Sequence, residues 1–261
     1  MAAGAYAKGL EGVIAGETAI SNVEGDVGRL TYRGVPIETL VNREYEAVAW
    51  LVLFGEEPDA SQQQGLTDFL REESALSESD RQLLASLTGE LHPMQMLQAT
   101  LPALTSEPAT KLLGELHAEA RSGLVLVSKL PSLVAGYRQL TLGNALPEPG
   151  ASSSSLANFL EQFSGRPPSD DHVATLAKTQ ILQMEHSFNA GTFAARVVAS
   201  TLAPVQAVLS AGVGALAGEL HGGADEAALR EAQKVGEPGA APTYVADLLA
   251  RKGRLMGMGH R

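Results

Sequence analysis

The sequence contains no cysteine, which excludes disulfide bonds, thiolate catalysis and cysteine-ligated zinc. Positive charge is also scarce, since 19 Lys and Arg residues stand against 30 Asp and Glu, for a formal net charge of -11. A surface of that sign disfavours nucleic acid and anionic membranes as partners. The first residues lack a basic segment followed by an apolar one, so no signal peptide is expected. Together these absences favour a cytoplasmic location.

The composition that remains is that of a globular protein. Hydrophobic residues make up 44% and charged residues 19% of the 261 positions. A chain of this length and composition buries a substantial core in one large domain or two.

One long stretch, Val197–Gly218, carries no charged residue and is long enough to span a bilayer. Its many Ala and Gly residues, together with Ser200, Pro204 and Gln206, make a membrane span the weaker interpretation. We therefore expect buried helices here, in a core or at a subunit interface.

The hydrophobic spacing predicts a mainly α-helical protein with one small β-hairpin near the N-terminus. The hairpin is predicted from a first strand at Gly12–Ile20, a turn after Ser21 and a second strand beginning at Arg29. Helices are predicted at a segment that contains Tyr45 and Val52 and ends at Gly55, then at Leu66–Glu73, Asp80–Leu87, Leu97–Leu104, Thr110–Leu140 with a break near Pro131, Leu156–Phe163, a segment from Asp170 through Ile181, Asn189–Ala203, Val205–Ala217, Ala224–Val235 and Thr243–Arg251.

Three of the six histidines have structural explanations. His117 and His172 lie in charged helical contexts, so both are expected at the surface. His92 precedes a proline at a predicted helix start, where it would cap the helix or pack against it.

The other three histidines are candidates for chemistry. His186 and Asn189 are three residues apart, so one helical turn would place both on one side, where an imidazole and an amide recognise a carboxylate. A buried, hydrogen-bonded helix junction is the alternative. His221 precedes Gly222-Gly223 and His260 follows a Gly-Met-Gly segment, so we expect accessible rings at places where the backbone approaches a ligand closely.

Two other chemistries fit these residues less well. Three histidines are able to ligate zinc, but none are spaced as His-x-His or four apart, and no acidic cluster accompanies them. A serine hydrolase is poorly supported because no Gly-x-Ser-x-Gly motif occurs. We predict acid/base chemistry with no metal and no cofactor.

Several segments, taken together and in order, resemble the citrate synthase family in its shorter bacterial and archaeal form. The similar segments are Gly9–Ile20, Gly28–Gly34, Leu91–Met94, Leu130–Ala135, His186–Arg196, Leu220–Glu226 and Gly253–Arg261. The resemblance implies a mainly α fold that forms a homodimer, with a multi-helical large domain at residues 1–223 and only the beginning of a small domain at residues 224–261.

The resemblance also implies an activity and a site. The family condenses acetyl-CoA, a substrate rather than a cofactor, with oxaloacetate to give citrate and CoA in the tricarboxylic acid cycle. It implies that His221 stabilises the enol of the thioester and that His260 polarises the oxaloacetate carbonyl. His186 and Asn189 would bind oxaloacetate. The residues implied to contact CoA are Arg254, Leu255, Met256, Gly257, Met258 and Gly259.

The sequence departs from the family pattern at several positions. Gly191 stands where the family has a serine near the catalytic histidine, and Gln95 replaces an aspartate. Glu219 and Asp225 stand where the family has proline and asparagine.

The family's catalytic aspartate and substrate-binding arginines would follow Arg261, so we expect a C-terminally truncated chain that is inactive alone. Two alternatives stay open: a 2-methylcitrate synthase that uses propionyl-CoA, and a non-catalytic, dimer-forming remnant.

Overall fold

The computed structural model describes residues 14–89, 91–109, 113, 116–150, 152, 154–219 and 221–256. In this part of the chain lie twelve α-helices and one three-stranded antiparallel sheet, which confirms the predicted mainly α fold. The elements are β1 Ser21–Glu24, β2 Arg29–Tyr32, β3 Val35–Pro36, α1 Ile37–Leu40, α2 Tyr45–Phe54, α3 Ala60–Glu72, α4 Glu78–Ser86, α5 Pro93–Thr100, α6 Ala118–Thr141, α7 Ser155–Ser164, α8 Asp170–Gln183, α9 Ala190–Ala199, α10 Val205–Leu216, α11 Gly223–Val235 and α12 Ala241–Ala250.

Contacts divide the chain into two compact units. The first holds the residues up to Thr67 together with Ser169–Asn189, and the second holds Asp68–Pro168 with the residues from Ala190 onward. The domain boundary at residue 223 stays a prediction. No helix among the described residues is long and apolar enough to cross a membrane.

The core of the first unit forms where β2, α1, α2 and α8 meet. Tyr32, Leu40, Leu51 and Ile181 are fully or almost fully buried in it. The Tyr32 hydroxyl donates a hydrogen bond of 2.8 Å to the Ile181 carbonyl, which satisfies the polar end of a ring buried among apolar side chains.

The first strand of the hairpin lies later in the chain than predicted, so its predicted position at Gly12–Ile20 is wrong. The predicted turn segment itself forms β1, in which Val23 pairs with Leu30 of β2. This register leaves a short turn that ends at Gly28, whose φ of 65° is the left-handed conformation that glycine adopts without strain. Residues 14–18 have no regular structure, and the preceding predicted residues lie outside the described part.

The main core of the second unit lies among α4, α5 and α6. Its buried side chains are Leu84, Met96, Leu101, Leu104, Leu126, Leu133 and Tyr137. The residues after α5 form a 3-10 turn at Leu101–Ala103 rather than the predicted end of a helix. Here Leu101 still points into the core.

Helix α6 differs from its prediction at two points. It begins at Ala118, after His117, rather than at Thr110. It also continues through Pro131, where a break was predicted. Proline removes one helical N–H, but Leu126 and Leu133 on either side are completely buried, so core packing holds the helix together.

The uncharged stretch forms the end of α9 and all of α10, which pack closely against each other. A Cβ at Gly212 would lie 3.5 Å from the Gly191 carbonyl oxygen, so small residues allow this approach. Val205, Leu209 and Val213 of α10 lie against the main core. Neither helix contains a fully buried residue, so the stretch is only partly buried against the core of this chain. The alternative, a subunit interface, stays a prediction.

A buried ion pair connects α4 to α6. The Lys129 ammonium donates to Asp80 Oδ2 at 2.7 Å and to the Thr105 carbonyl at 2.7 Å. Asp80 also caps α4 through the Ser77 backbone N–H, and it accepts from the Thr105 N–H. Burial acts to raise the Asp80 pKa, but the hydrogen bonds from Lys129, Thr105 and Ser77 outweigh it, so the pKa is lowered from 3.8.

We predict that Lys129→Met destabilises the protein by about 3–5 kcal/mol near pH 7, because it leaves a buried carboxylate without its partner. Since the folded-state pKa of Asp80 is lowered, the pair's contribution is complete well above 3.8 and is lost as the pH falls below that value. The measurement is urea unfolding at a series of pH values. The difference in unfolding free energy between Lys129→Met and the parent protein should be smaller at low pH than near pH 7. The exposed Lys178→Met is the control; an equal effect would contradict the prediction.

Candidate functional site

His186 lies in a non-helical segment between α8 and α9. The chain leaves the helical conformation after Gln183, and Ser187 has a φ of 61°. His186 and Asn189 are therefore not brought to one side by a helical turn, as was predicted, although both residues share this short segment. The His186 side chain is exposed, so the alternative of a buried junction is also wrong for it.

Two side chains that sequence reasoning did not single out hold the His186 segment in place. Glu185 Oε1 accepts from the Ser21 hydroxyl at 3.0 Å and from the Ser187 N–H. The Glu185 N–H donates to the Tyr32 hydroxyl at 3.3 Å. Burial raises the Tyr32 pKa, so its hydroxyl stays protonated at neutral pH. Tyr32 lies in a family-like segment and Glu185 directly precedes another, which was the available signal.

His221 lies in the turn between α10 and α11, and its glycines are required by the turn itself. The Gly222 N–H donates to the Leu216 carbonyl at 2.9 Å, and the Gly223 N–H donates to the Gly218 carbonyl at 3.2 Å. A Cβ at Gly222 would lie only 2.6 Å from the Leu216 carbonyl oxygen. These glycines were predicted to let the backbone approach a ligand closely. In the structure they approach the carbonyl groups of Leu216 and Gly218 instead.

The His221 ring is half-buried rather than open. Its Nε2 atom is buried and has no hydrogen-bond partner in the described part of the chain. An imidazole nitrogen left unpaired in a covered position costs free energy, which a ligand that accepts or donates a hydrogen bond would recover. This makes Nε2 the clearest unoccupied contact point near the predicted site.

His92 connects the start of α5 to the His221 region. Its Nδ1 accepts from the Met94 N–H at 3.3 Å, while Gln95 Oε1 accepts from the His92 N–H at 3.1 Å. The predicted capping role is confirmed, and Gln95 completes the cap in place of the family's aspartate. His92 Nε2 lies 3.7 Å from Glu226 in the first turn of α11. The other two structural histidines, His117 and His172, are exposed as predicted.

The C-terminal end of the described chain leaves α12 through a second tight turn. The Gly253 N–H donates to the Leu248 carbonyl at 2.8 Å, and a Cβ at Gly253 would lie 2.5 Å from Leu248 Cδ1. Arg254 follows and is exposed, while Leu255 and Met256 are half-buried. The other predicted residues of this segment lie outside the described residues; they are Gly257, Met258, Gly259 and His260.

A small polar cluster ties α12 to α11. The Tyr244 hydroxyl donates to Glu231 Oε2, and the Lys234 ammonium donates to Glu231 Oε1 at 2.7 Å. The hydrogen bond from Lys234, followed by that from Tyr244, lowers the Glu231 pKa.

The predicted site residues thus fall in both units. His221 and Arg254 belong to the second unit, and His186 and Asn189 belong to the first. Within the described ranges, no group of three or more His, Cys, Asp or Glu side chains is arranged to hold a metal ion.

Comparisons with known proteins agree on one family. The family model described as "Citrate synthase, C-terminal domain" matches residues 9–261. The chain is 36% identical over 258 residues to a citrate synthase from Mycolicibacterium smegmatis, covering 97% of this chain and 68% of that protein. It is also 36% identical to a 2-methylcitrate synthase from Mycobacterium tuberculosis, covering 97% of this chain and 64% of that protein.

Solved structures give the same answer. The citrate synthase from Pyrobaculum aerophilum superposes with a TM-score of 0.87 at 31% identity, over 97% of this chain and 66% of that one. The citrate synthase from Thermotoga maritima gives 0.83 at 30% identity, over 97% of this chain and 67% of that one. The chain belongs to the citrate synthase family, and it spans about two thirds of the length of the relatives it matches.

We predict that Gly222→Ala displaces the His221 turn, because the added Cβ cannot lie 2.6 Å from the Leu216 oxygen. The expected cost is about 1–3 kcal/mol of unfolding free energy, with a shifted His221 imidazole NMR resonance. Gly239→Ala is the matched control, since nothing lies within 4 Å of its added Cβ. An unchanged His221 resonance in the Gly222 variant would contradict this account of the turn.

Proposed function

We propose that the protein is a citrate synthase-type acyltransferase that condenses acetyl-CoA with oxaloacetate and releases citrate and CoA. The observation that carries the proposal is the buried Nε2 of His221 in the turn before α11, which has no hydrogen-bond partner among the described residues. The family membership and the relatives named as citrate synthases support it. The absence of cysteine and the acidic composition are consistent with a cytoplasmic enzyme.

His221 would act on the thioester carbonyl of acetyl-CoA. When a proton leaves the thioester methyl group, negative charge develops on the carbonyl oxygen, and a hydrogen bond from Nε2 stabilises that charge. His221 stands two residues before α11 begins, where the unpaired N–H groups of the first turn carry a partial positive charge. A nitrogen without another partner is free to make this bond as the charge appears.

The other predicted residues have supporting roles in this proposal. The exposed imidazole of His186 and the nearby Asn189 would bind the carboxylates of oxaloacetate, and His260 would polarise its carbonyl. The exposed guanidinium of Arg254 suits an anionic group of CoA, next to Leu255 and Met256. By the family resemblance, the base that removes the methyl proton is an aspartate beyond the region that this chain shares with its relatives.

A 2-methylcitrate synthase is the second candidate, because a relative of that name is as similar to this chain as the citrate synthase is. The two reactions differ by one methylene on the acyl-CoA, and one methylene in an apolar pocket changes discrimination by only about 1–3 kcal/mol. We favour acetyl-CoA, and the ratio of turnover with the two acyl-CoAs decides between them.

The proposal is tested by oxaloacetate-dependent thiol release in the complete product of the native gene. We expect turnover with acetyl-CoA above that with propionyl-CoA. His221→Gln should lower kcat by about 10²–10³-fold with a much smaller change in KM, since it removes a contact made mainly in the transition state. His172→Gln, at an exposed position on α8, is the matched control and should retain activity.

Each other outcome selects an alternative. Faster release with propionyl-CoA makes the protein a 2-methylcitrate synthase. No release with either acyl-CoA defeats both activities and favours the dimer-forming remnant, which Gly191 in place of the family's serine also motivates. Full activity in the His221 variant contradicts the role given to Nε2.

We further propose that the protein is a homodimer joined through α9 and α10. The uncharged stretch leaves Val197 52% and Leu202 94% exposed, and α10 is only half-buried along its length. Exposed apolar side chains in an uncharged segment are typical of an interaction site, and a second copy offers the same uncharged helices in a two-fold interface.

Val197→Lys is therefore expected to shift the protein from dimer to monomer, because the interface would bury an unpaired charge. Light scattering coupled to size-exclusion chromatography measures the molar mass. Leu249→Lys, at a position 63% exposed on α12, is the matched control and should remain dimeric. A monomeric parent protein, or a dimer unaffected by the Val197 change, would contradict this interface.

A further inference from the structure

A cleft of about 420 Å³ lies within the second unit, where the end of α6 and the loop after it meet α7. The residues that matter for its chemistry are Gln139, Asn144, Glu148, Gly150, Glu161 and Gln162. None of them belongs to the site described above. The volume is in the range of small-molecule pockets.

Two buried amide oxygens of α7 have no hydrogen-bond donor in the described chain: that of Gln162, which lines the cleft, and that of Asn158, which lies beside the lining residue Gly150. Asn158 is 4% and Gln162 is 5% exposed, and neither Asn158 Oδ1 nor Gln162 Oε1 has a partner in the described chain. The Asn158 amide is fixed in orientation, because its Nδ2 donates to the Ser152 carbonyl at 3.0 Å. Buried acceptors without donors cost free energy, so their presence together at one cleft indicates a ligand that donates.

The Glu161 carboxylate lies beside the same part of the cleft, next to Gly150. The position of a Cβ at Gly150 would lie 2.7 Å from Asn158 Oδ1 and 2.9 Å from Glu161 Oε2, so both oxygens converge on one point beside Gly150. Within the described ranges, no cation or hydrogen-bond donor pairs with the Glu161 side chain. Glu148, at the rim, differs because it is paired with Arg81 at 2.6 Å.

Among the described residues, the buried side-chain atoms left without a partner here are acceptors, whereas the amide N–H groups of Gln139 and Asn144 donate to neighbouring oxygens. One unpaired carboxylate and two orphaned amide oxygens repel anions and match a cation that carries several N–H donors. A primary ammonium carries three donors and one positive charge. The overall charge of -11 also attracts such a cation from a distance. We propose that this cleft binds a small primary ammonium ion, whose head group donates to Glu161, Asn158 and Gln162.

The experiment is calorimetric titration of the protein with butane-1,4-diammonium at low salt. We expect saturable binding that Glu161→Gln weakens by about tenfold or more, because the variant loses the charged acceptor but keeps its shape. Gly150→Ala should also weaken binding, since the added methyl group displaces the Asn158 and Glu161 oxygens. Glu119→Gln, an equal charge change at the far end of α6, is the matched control and should bind as the parent does.

A second ligand separates hydrogen bonding from charge. The corresponding bis(trimethylammonium) ion has the same charge and no N–H donor, so it should not bind measurably. Equal binding of that ion, binding unaffected by both site variants, or no saturable heat with the diamine would overturn the proposal. Calcium binding that excludes the diamine would also overturn it, in favour of a metal site. Because the cleft does not use His221, these results are independent of the acyl-CoA assay.

Discussion

The carbonyl oxygen of Leu216 occupies the space that a side chain at residue 222 would need, and the proposed active site depends on this contact. It forces a tight turn at the end of α10 that only glycine fits, and the turn holds His221 directly before α11. The ring is then half-buried, and its Nε2 has no partner in the part of the chain that the structure describes. A flexible loop would let this nitrogen find water or a protein partner, whereas a turn fixed by backbone sterics keeps it available.

The helices around this turn are themselves held together by contacts in the interior of the protein. Lys129 and Asp80 join α6 to the start of α4 in a pair that is almost completely buried. Helix α10 packs on the apolar core that these helices enclose. The His92–Glu226 contact then ties α5 to the first turn of α11. The buried pair and the apolar core thus set the positions of the helices around the His221 turn, whereas the exposed His92–Glu226 contact carries little free energy.

Much of the fold could be predicted from the sequence, because the hydrophobic spacing and the residues that end helices agree in most segments. Helix α2 ends at Gly55 with a left-handed φ of 85°, as its pattern indicated. The first strand was misplaced because Val and Ile are as frequent in residues 12–20 as in a strand, and only pairing with β2 selects Ser21–Glu24. Pro131 did not break α6 because core packing outweighs one missing hydrogen bond.

For the candidate site, the glycines correctly indicated the turn at His221. The hydrogen bond from Ser21 to Glu185 could not be predicted, because it joins residues far apart in sequence that no local pattern reveals.

In the proposed mechanism, His221 Nε2 has no partner until it meets the acyl-CoA carbonyl. The most direct measurement is the ¹⁵N NMR resonance of His221 Nε2 in labelled protein, recorded before and after addition of oxaloacetate and an unreactive acetyl-CoA analogue that keeps the carbonyl. We expect a shift to the frequency of a hydrogen-bonded nitrogen at His221 and no change at the exposed His172. A His221 resonance that is already hydrogen-bonded without ligand, or that does not move when the ligands bind, would contradict this mechanism.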